Sequence, residues 1–284
     1  MVNESCDSPV SGVSPVATLS QALRSGWIEF WYQPKIDLRR RRFAGAEIFA
    51  RLRHPEHGVL PPSRFMAGAD KVSLAALTEQ AVISALRTSQ DLSTRGVRLR
   101  LAINVSLYAL IKLPIPSIMR QHRPKAEDWP GLIFDVTEAD VASDRPFVAE
   151  MAKRLARSSI RLAIDDFGRD LFSLVQHTKM EPAGKQMEET FAGLKQLQNV
   201  PFAELKLDRA LVADCARNPR SAAICKSVID LAHHFGGEAV AIGVEKAADL
   251  KSLLRMGCDV GQGFLFGQPM SETQFIRSLG NRAA

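Results

Sequence analysis

Acidic and amide side chains stand at the ends of several short apolar runs, where together they could bind a metal ion. Carboxylate and amide oxygens suit hard dications such as Mg²⁺, Mn²⁺ or Ca²⁺, whereas structural zinc favours sulfur and nitrogen. The oxygen-bearing candidates are Glu47, Asn104, Asp135, Asp165 and Asp166. Three later runs end in Lys206, Glu245 and Gln262. A single aspartate at a strand end is usually a helix cap. Six successive apolar runs that all end in an acid, an amide or a lysine, from Asn104 to Gln262, instead predict a shared site.

The adjacent pair Asp165 and Asp166 is the most informative part of this set. Successive residues of a strand point to opposite faces, but the backbone turns at a strand end, so both carboxylates can reach one pair of metal ions. A salt bridge or a cap is the alternative for the dipeptide alone. Lys206 would be costly to bury without a carboxylate partner, and it fits a role in stabilising charge or holding an attacking water.

Short apolar strands alternate with helical segments along the chain. The apolar period predicts helices at about 73–90, 145–156, 218–235 and 246–256, with eight strand candidates in the chain. This alternation predicts an α/β fold with a largely parallel sheet, and eight strands predict a (β/α)8 barrel in one domain. The active site of such a barrel lies at the C-terminal ends of its strands, so the polar residues should converge there.

The composition of the 284-residue chain limits its class. An apolar fraction of 46% is enough for a full core, and neither a run of about 18 apolar residues nor a signal peptide is present, which predicts a cytoplasmic protein. The four cysteines lack paired metal spacing and are too few for a disulfide scaffold. The net charge of +6 suits an anionic partner without naming one. Residues 1–17 predict a disordered leader.

The motifs from Thr18 to Phe275 resemble the EAL domain family of cyclic di-GMP phosphodiesterases and their non-catalytic relatives. The matching segments are YQP at 32–34, AEIFARLRHPEHG at 46–58, INVS at 103–106, DVTE at 135–138, DDFG at 165–168, ELKLDRALV at 204–212, GVE at 243–245 and GCDVGQGFLFGQP at 257–269. The name-giving triplet is altered to Glu47-Ile48-Phe49, which keeps the carboxylate. The resemblance implies a modified TIM-like (β/α)8 barrel of the EAL type as a single domain over residues 18–284.

The resemblance also implies a chemistry, in which two divalent metals activate a water that attacks one phosphodiester of cyclic di-GMP. Mg²⁺ or Mn²⁺ would be the cofactor, and Lys206 and Glu245 are the candidate catalytic residues, with Lys206 at the attacking water. Metal ligands would be Glu47, Asn104, Asp135 and Asp165 for one ion, and Asp165 and Asp166 for the second. Gln33, Arg51 and Gln262 would surround the substrate, and Glu138 would brace the loop after DDFG. The planar fork of an arginine suits a phosphate.

Three features depart from the family's pattern. Asp135 replaces the usual Glu, which shortens that carboxylate's stem by one methylene. The loop after Gly168 is long, and an insertion at about 169–190 is the simplest explanation of two aromatic-x-x-Leu steps, LFSL at 171–174 and FAGL at 191–194. This insertion is either a harmless surface extension or one that alters coupling to a dimer interface or recruits a partner.

The third departure is Ile242, which stands where hydrolysing members have a Glu that serves the second metal. Isoleucine has no lone pair to offer. Losing even an outer-shell partner lowers metal affinity or activity about 10–100-fold, so losing a ligand should cost at least that. Glu245, three residues later, would compensate only if the backbone shifted. Ile242 therefore predicts weak or absent hydrolysis. The cofactor would then be Mg²⁺ or Mn²⁺ at one site instead of two.

Three functions stay open from the sequence. The favoured one is a degenerate EAL domain in cyclic di-GMP signalling that binds the nucleotide, a protein partner or both, with weak or no hydrolysis. The first alternative is an active metal-dependent phosphodiesterase that produces the linear dinucleotide, so enzymatic activity is undecided. The second alternative is a purely protein-binding module. The resemblance suggests a homodimer, and neither DNA nor a membrane is expected as a partner.

Overall fold

The computed structural model describes residues 15–169 and 199–280. The predicted leader at 1–17 and the predicted insertion at about 169–190 lie almost wholly outside the described residues, so both stay predictions.

Strands and helices alternate along the described chain, as the apolar pattern predicts. The strands are β1 (Ile28–Asp37), β2 (Arg42–His54), β3 (Gly58–Leu60), β4 (Arg100–Asn104), β5 (Leu132–Thr137), β6 (Ile160–Phe167), β7 (Glu204–Leu207), β8 (Glu238–Ala241), β9 (Val260–Gln262) and β10 (Met270–Ser271). The helices are α1 (Leu19–Arg24), α2 (Lys71–Thr94), α3 (Leu107–Lys112), α4 (Ile115–His122), α5 (Glu138–Ser143), α6 (Arg145–Ala156), α7 (Arg209–Val212), α8 (Pro219–His234), α9 (Ala247–Met256) and α10 (Glu272–Gly280), with a 3₁₀ turn at Pro62–Arg64. The four predicted helices correspond to α2, α6, α8 and α9.

The chain divides into two compact units, and strands β1, β2 and β5 each have residues in both. Among the described residues, the first unit comprises 15–34, 45–134 and 268–280, and the second comprises 35–44, 135–169 and 199–267.

In the first unit, β2 lies between β4 and β3 in the sheet. It pairs in parallel with β4 and antiparallel with β3. Helix α2 packs against β4, and its N-terminus is capped by Asp70, whose carboxylate accepts hydrogen bonds from the backbone N–H groups of Val72 and Ser73. The buried Tyr32 hydroxyl lies 2.7 Å from the Thr88 hydroxyl and so ties β1 to α2. These contacts hold the strand that carries Glu47 and Arg51.

In the second unit, β6, β7, β8 and β9 form consecutive parallel pairs. The last three residues of β1, Lys35–Asp37, pair antiparallel with β9. The chain reverses in a tight turn at 38–41, because a connection this short cannot make the crossover that parallel strands require. Helix α8 packs against β7 and β8 and covers the strands that carry Lys206 and lead to Ile242.

Candidate active site

Lys206 lies between two carboxylates in the interior of the second unit. Its Nζ donates to Asp135 Oδ2 at 2.8 Å and to Asp165 Oδ2 at 2.9 Å, and all three side chains are at most 1% exposed. Strands β5, β6 and β7 supply one residue each. A buried lysine needs such partners, since an uncompensated buried charge costs about 3–5 kcal/mol. Asp135 and Asp165 also offer carboxylate oxygens within 4.8 Å of each other, which is a spacing that a cation can bridge.

Strand β6 is irregular where it carries its two aspartates. The register with β7 shifts between Ile164 and Phe167, and Asp166 has a left-handed backbone with φ of 56°. Aspartate is one of the few residues that tolerate this conformation. The bulge places the two carboxylates in different environments. The Asp165 side chain is buried, whereas the Asp166 side chain is 14% exposed. Burial, helped by the neighbouring Asp165 charge, raises the pKa of Asp166 to about 6.

Two arginines lie against acids of this region. Arg169 Nη1 is 3.4 Å from Asp166 Oδ2, and its Nε donates to Asp208 Oδ2 at 3.2 Å. Arg209 Nη2 donates to Glu245 Oε1 at 2.7 Å. Neither arginine stands out in the sequence analysis, because its pairing depends on the bulge in β6 and on the path of the chain after β8. The signals in the sequence are that Arg169 directly follows the DDFG motif and that Arg209 lies within the ELKLDRALV motif at 204–212.

Ile242 directly follows β8 and is 2% exposed. Its backbone N–H donates to the Leu207 carbonyl at 3.4 Å, which places it beside the end of β7. The next residue, Gly243, has φ of 70°, and a Cβ there would lie 2.4 Å from Arg209 Cγ. A glycine is therefore required for Arg209 to pass and reach Glu245.

Glu138 is the first residue of α5, directly after the N-cap Thr137. Its Oε2 accepts a hydrogen bond of 3.0 Å from the backbone N–H of Gly168. This contact joins the residue that follows β5 to Gly168, the residue that follows β6, where the loop after DDFG begins.

The first unit carries all of the remaining candidates except Gln262. Asn104, at the end of β4, donates from Nδ2 to Glu47 Oε1 at 2.8 Å, and Glu47 is 1% exposed. Arg51, at 8% exposure, lies with its guanidinium carbon 5.6 Å from the centre of the Trp31 ring. Gln33 is fully buried on β1. In the second unit, Gln262 ends β9 and is buried, and its carbonyl accepts from the Val244 N–H at 3.0 Å.

Among residues 15–169 and 199–280, the helices are too short or too polar to cross a membrane.

Comparisons with known proteins agree with the motifs. The EAL domain model matches residues 16–184 and 185–269. The cyclic di-GMP phosphodiesterase RocR of Pseudomonas aeruginosa is 32% identical over 273 residues, which are 94% of this chain and 64% of RocR. The chain therefore spans less than two thirds of that relative's length.

Solved structures show the same fold. MucR of Pseudomonas aeruginosa, solved as a phosphodiesterase in complex with cyclic di-GMP, superposes with a TM-score of 0.73 at 28% identity, covering 90% of this chain and 97% of that one. The EAL domain of FimX from the same organism, bound to cyclic di-GMP, gives a TM-score of 0.70 at 21% identity, covering 89% and 94%. These similarities confirm the predicted α/β fold, a modified (β/α)8 barrel of the EAL type in a single domain.

Proposed function

Because the chain belongs to the EAL domain family, we propose that it is a degenerate member that binds cyclic di-GMP and hydrolyses it weakly or not at all. The observation that carries this proposal lies in the second unit. Ile242 is a buried hydrocarbon, and the acids Asp166 and Glu245 are each paired with a guanidinium group. Of the positions that would serve a second metal, Ile242 carries no oxygen and Asp166 faces the positive charge of Arg169.

The donor set fits one divalent cation. Asp135 and Asp165 are buried carboxylates whose oxygens lie within 4.8 Å of each other, and this donor type and spacing suit a hard dication. We propose that Glu47 and Asn104 serve the same ion, in line with the family resemblance. When bound, Mg²⁺ or Mn²⁺ supplies charge stabilisation to a phosphodiester and lowers the pKa of a bound water.

The second cation position has a poorer donor set. A hard dication takes oxygen ligands, and Ile242 offers none. Arg169 places a positive charge 3.4 Å from Asp166, where it competes with a metal for the same oxygen. Glu245 makes a charge-assisted hydrogen bond with Arg209, and a metal would have to break it. We therefore propose a single well-held ion.

The chain's own residues support nucleotide binding without a second ion. Lys206 holds its ammonium group fixed between two carboxylates, where it can stabilise negative charge on a phosphate or orient a water. Arg51, a candidate phosphate ligand, has its guanidinium over Trp31, which restricts its side chain before any ligand arrives. Gln33 and Gln262 are buried amides with donors and acceptors suited to the substrate.

An active phosphodiesterase is the alternative, favoured by the retained Glu47, Asn104, Asp135, Asp165 and Lys206 and by the similarity to RocR. Steady-state assays with Mg²⁺ or Mn²⁺ decide between the two, since the degenerate form should release little or no linear dinucleotide.

Isothermal titration with cyclic di-GMP, with and without Mg²⁺, tests the binding part of the proposal. We expect binding to the wild-type chain and at least tenfold weaker binding to Arg51→Ala. Arg53→Ala is the matched control, because Arg53 lies two residues along the same strand and pairs with Glu29 at 2.7 Å. Absence of binding by the wild-type chain would remove the nucleotide-binding proposal and leave a protein-interaction role.

A further inference from the structure

A second cluster of metal-binding side chains lies in the first unit, in the turn between β2 and β3. One ligand atom each from His54, Glu56 and His57 lies within 4.8 Å of the others. His54 is partly buried, and Glu56 and His57 are exposed. None of the residues assigned to cyclic di-GMP or its metal belongs to this cluster, so it is independent of the proposed function.

The backbone of this turn is restrained. His54 and Gly58 are paired across β2 and β3, so only Pro55, Glu56 and His57 close the hairpin. Gly58 has φ of 69°, a left-handed conformation that glycine adopts without strain, and the ring of Pro55 fixes its own φ. All three side chains therefore project from one short, constrained loop. Constraint of this kind lowers the entropic cost of gathering them around an ion.

The two imidazole rings are already close. Their centroids are 4.8 Å apart with the ring planes inclined by 33°, and the His54 ring packs edge-on against Trp27 at 4.9 Å. Zinc–nitrogen and zinc–oxygen bonds are about 2.0–2.2 Å long, so the donors of one tetrahedral ion stand roughly 3.4 Å apart. Glu56 and His57 are exposed, so their side chains are free of the packing that would prevent rotation towards a shared ion.

From this geometry we propose that His54, Glu56 and His57 bind one transition-metal dication of the Zn²⁺ or Ni²⁺ type. Two imidazoles and one carboxylate form the donor set of three-ligand zinc sites, in which solvent or another molecule takes the fourth position. The same donors are a poor match for Mg²⁺, which prefers oxygen, so the two sites differ in metal preference.

Binding at His54 depends on which ring nitrogen carries the proton. His54 Nδ1 accepts a hydrogen bond of 3.2 Å from the Glu56 N–H, so the proton of the neutral ring is on Nε2. A metal at Nδ1 displaces the Glu56 N–H from that nitrogen, whereas a metal at Nε2 requires the ring proton to move to Nδ1, and neither position releases a proton from the neutral ring. Imidazole binds metals in its neutral form.

The test is a titration of the full chain with Zn²⁺ in competition with a chromophoric chelator. Mg²⁺ is present in large excess to occupy the carboxylate site around Asp135 and Asp165, so that the measured Zn²⁺ affinity is that of the histidine cluster. We expect His54→Ala and His57→Ala each to weaken the site at least tenfold. His234→Ala is the control, since His234 is an exposed imidazole on α8 and belongs to no ligand cluster found among the described residues. Equal zinc affinity in the wild type and in both cluster variants would overturn the proposal.

A second readout does not depend on how the histidine variants fold. Ni²⁺ quenches nearby indole fluorescence, and Trp27 contacts His54. We expect Ni²⁺ to quench the wild-type emission in step with binding, and Trp27→Phe to lose this quenching while keeping its Zn²⁺ affinity. Wild-type emission that does not respond to bound Ni²⁺ would place the ion elsewhere and contradict the assignment.

Discussion

At the residue scale, Ile242 places a branched hydrocarbon next to the end of β7, and Glu245 is held by Arg209. We predict that Ile242→Glu raises phosphodiesterase activity at least tenfold, because it restores an oxygen ligand for a second ion. Ile242→Gln is the matched control, with nearly the same shape and no charge, and should give a much smaller gain. Product formation followed by chromatography in Mn²⁺ measures both.

If Ile242→Glu does not raise phosphodiesterase activity, another position is the cause of the weak hydrolysis. Asp135, with its shorter stem, and Arg169, which lies against Asp166, are the next candidates. The double variant Ile242→Glu with Arg169→Ala separates them, because it restores the ligand and frees Asp166 together.

Asp166 gives a stability prediction for the metal-free protein. Its pKa rises from 3.8 to about 6 on folding, mainly through burial, so the folded chain retains a proton that the unfolded chain has lost. Stability should therefore fall as the pH rises from about 4 to about 6, and the cost should be complete above that range. Asp166→Asn removes this charge, and asparagine tolerates the left-handed backbone.

Chemical denaturation in EDTA checks this prediction. The variant should be more stable than the wild type at pH 8, and the difference should shrink towards pH 4. A gain that is the same at both pH values would show that ionisation of Asp166 is not its cause.

The identity of the candidate residues was predictable from sequence, but their pairing was not. Strand-end positions such as Asp135, Asp165 and Lys206 follow from apolar runs that stop at a polar residue. The interactions of Arg169 and Arg209 depend on a bulge and on the path after Gly243, which no local pattern specifies. Ile242 has no local signal of its own, and its significance follows only from the match of the surrounding motif to a family.

At the element scale, Glu138 connects α5 to the end of β6 through Gly168. We predict that Glu138→Ala destabilises the protein by about 1.5–3 kcal/mol, as expected for loss of a hydrogen bond to a charged group. Glu138→Gln keeps an acceptor oxygen and should cost less. Denaturation gives the stability change, and faster hydrogen exchange at Gly168 in the alanine variant would locate it. Unchanged exchange at Gly168 would argue against the bracing role.

The bounds of the elements show what periodicity can and cannot predict. Helix α6 spans 145–156 as predicted, because Asp144 caps it and its apolar period is regular. Strand β6 continues to Phe167, past the predicted end at the two aspartates. The reason is the bulge. The positive φ at Asp166 adds one residue to β6, so that pairing with β7 resumes at Phe167, and the apolar alternation of the sequence does not reveal this extra residue.

At the scale of the whole molecule, one family model spans segments of both compact units, so the sequence motifs describe a single EAL domain. Such a fold can be predicted because its motifs recur in a set order along most of the chain. The leader, the insertion at about 169–190, the homodimer and a protein partner stay predictions, since they lie outside the described residues or require a second chain.

The most direct test is to identify the nucleotide that stays with the protein. The full chain is incubated with equimolar cyclic di-GMP and Mg²⁺, passed through a gel-filtration column, and the nucleotide in the protein peak is analysed by mass spectrometry. We predict that uncleaved cyclic di-GMP co-elutes with the chain. Complete conversion to the linear dinucleotide during the incubation, or a protein peak free of nucleotide, would contradict the proposed function.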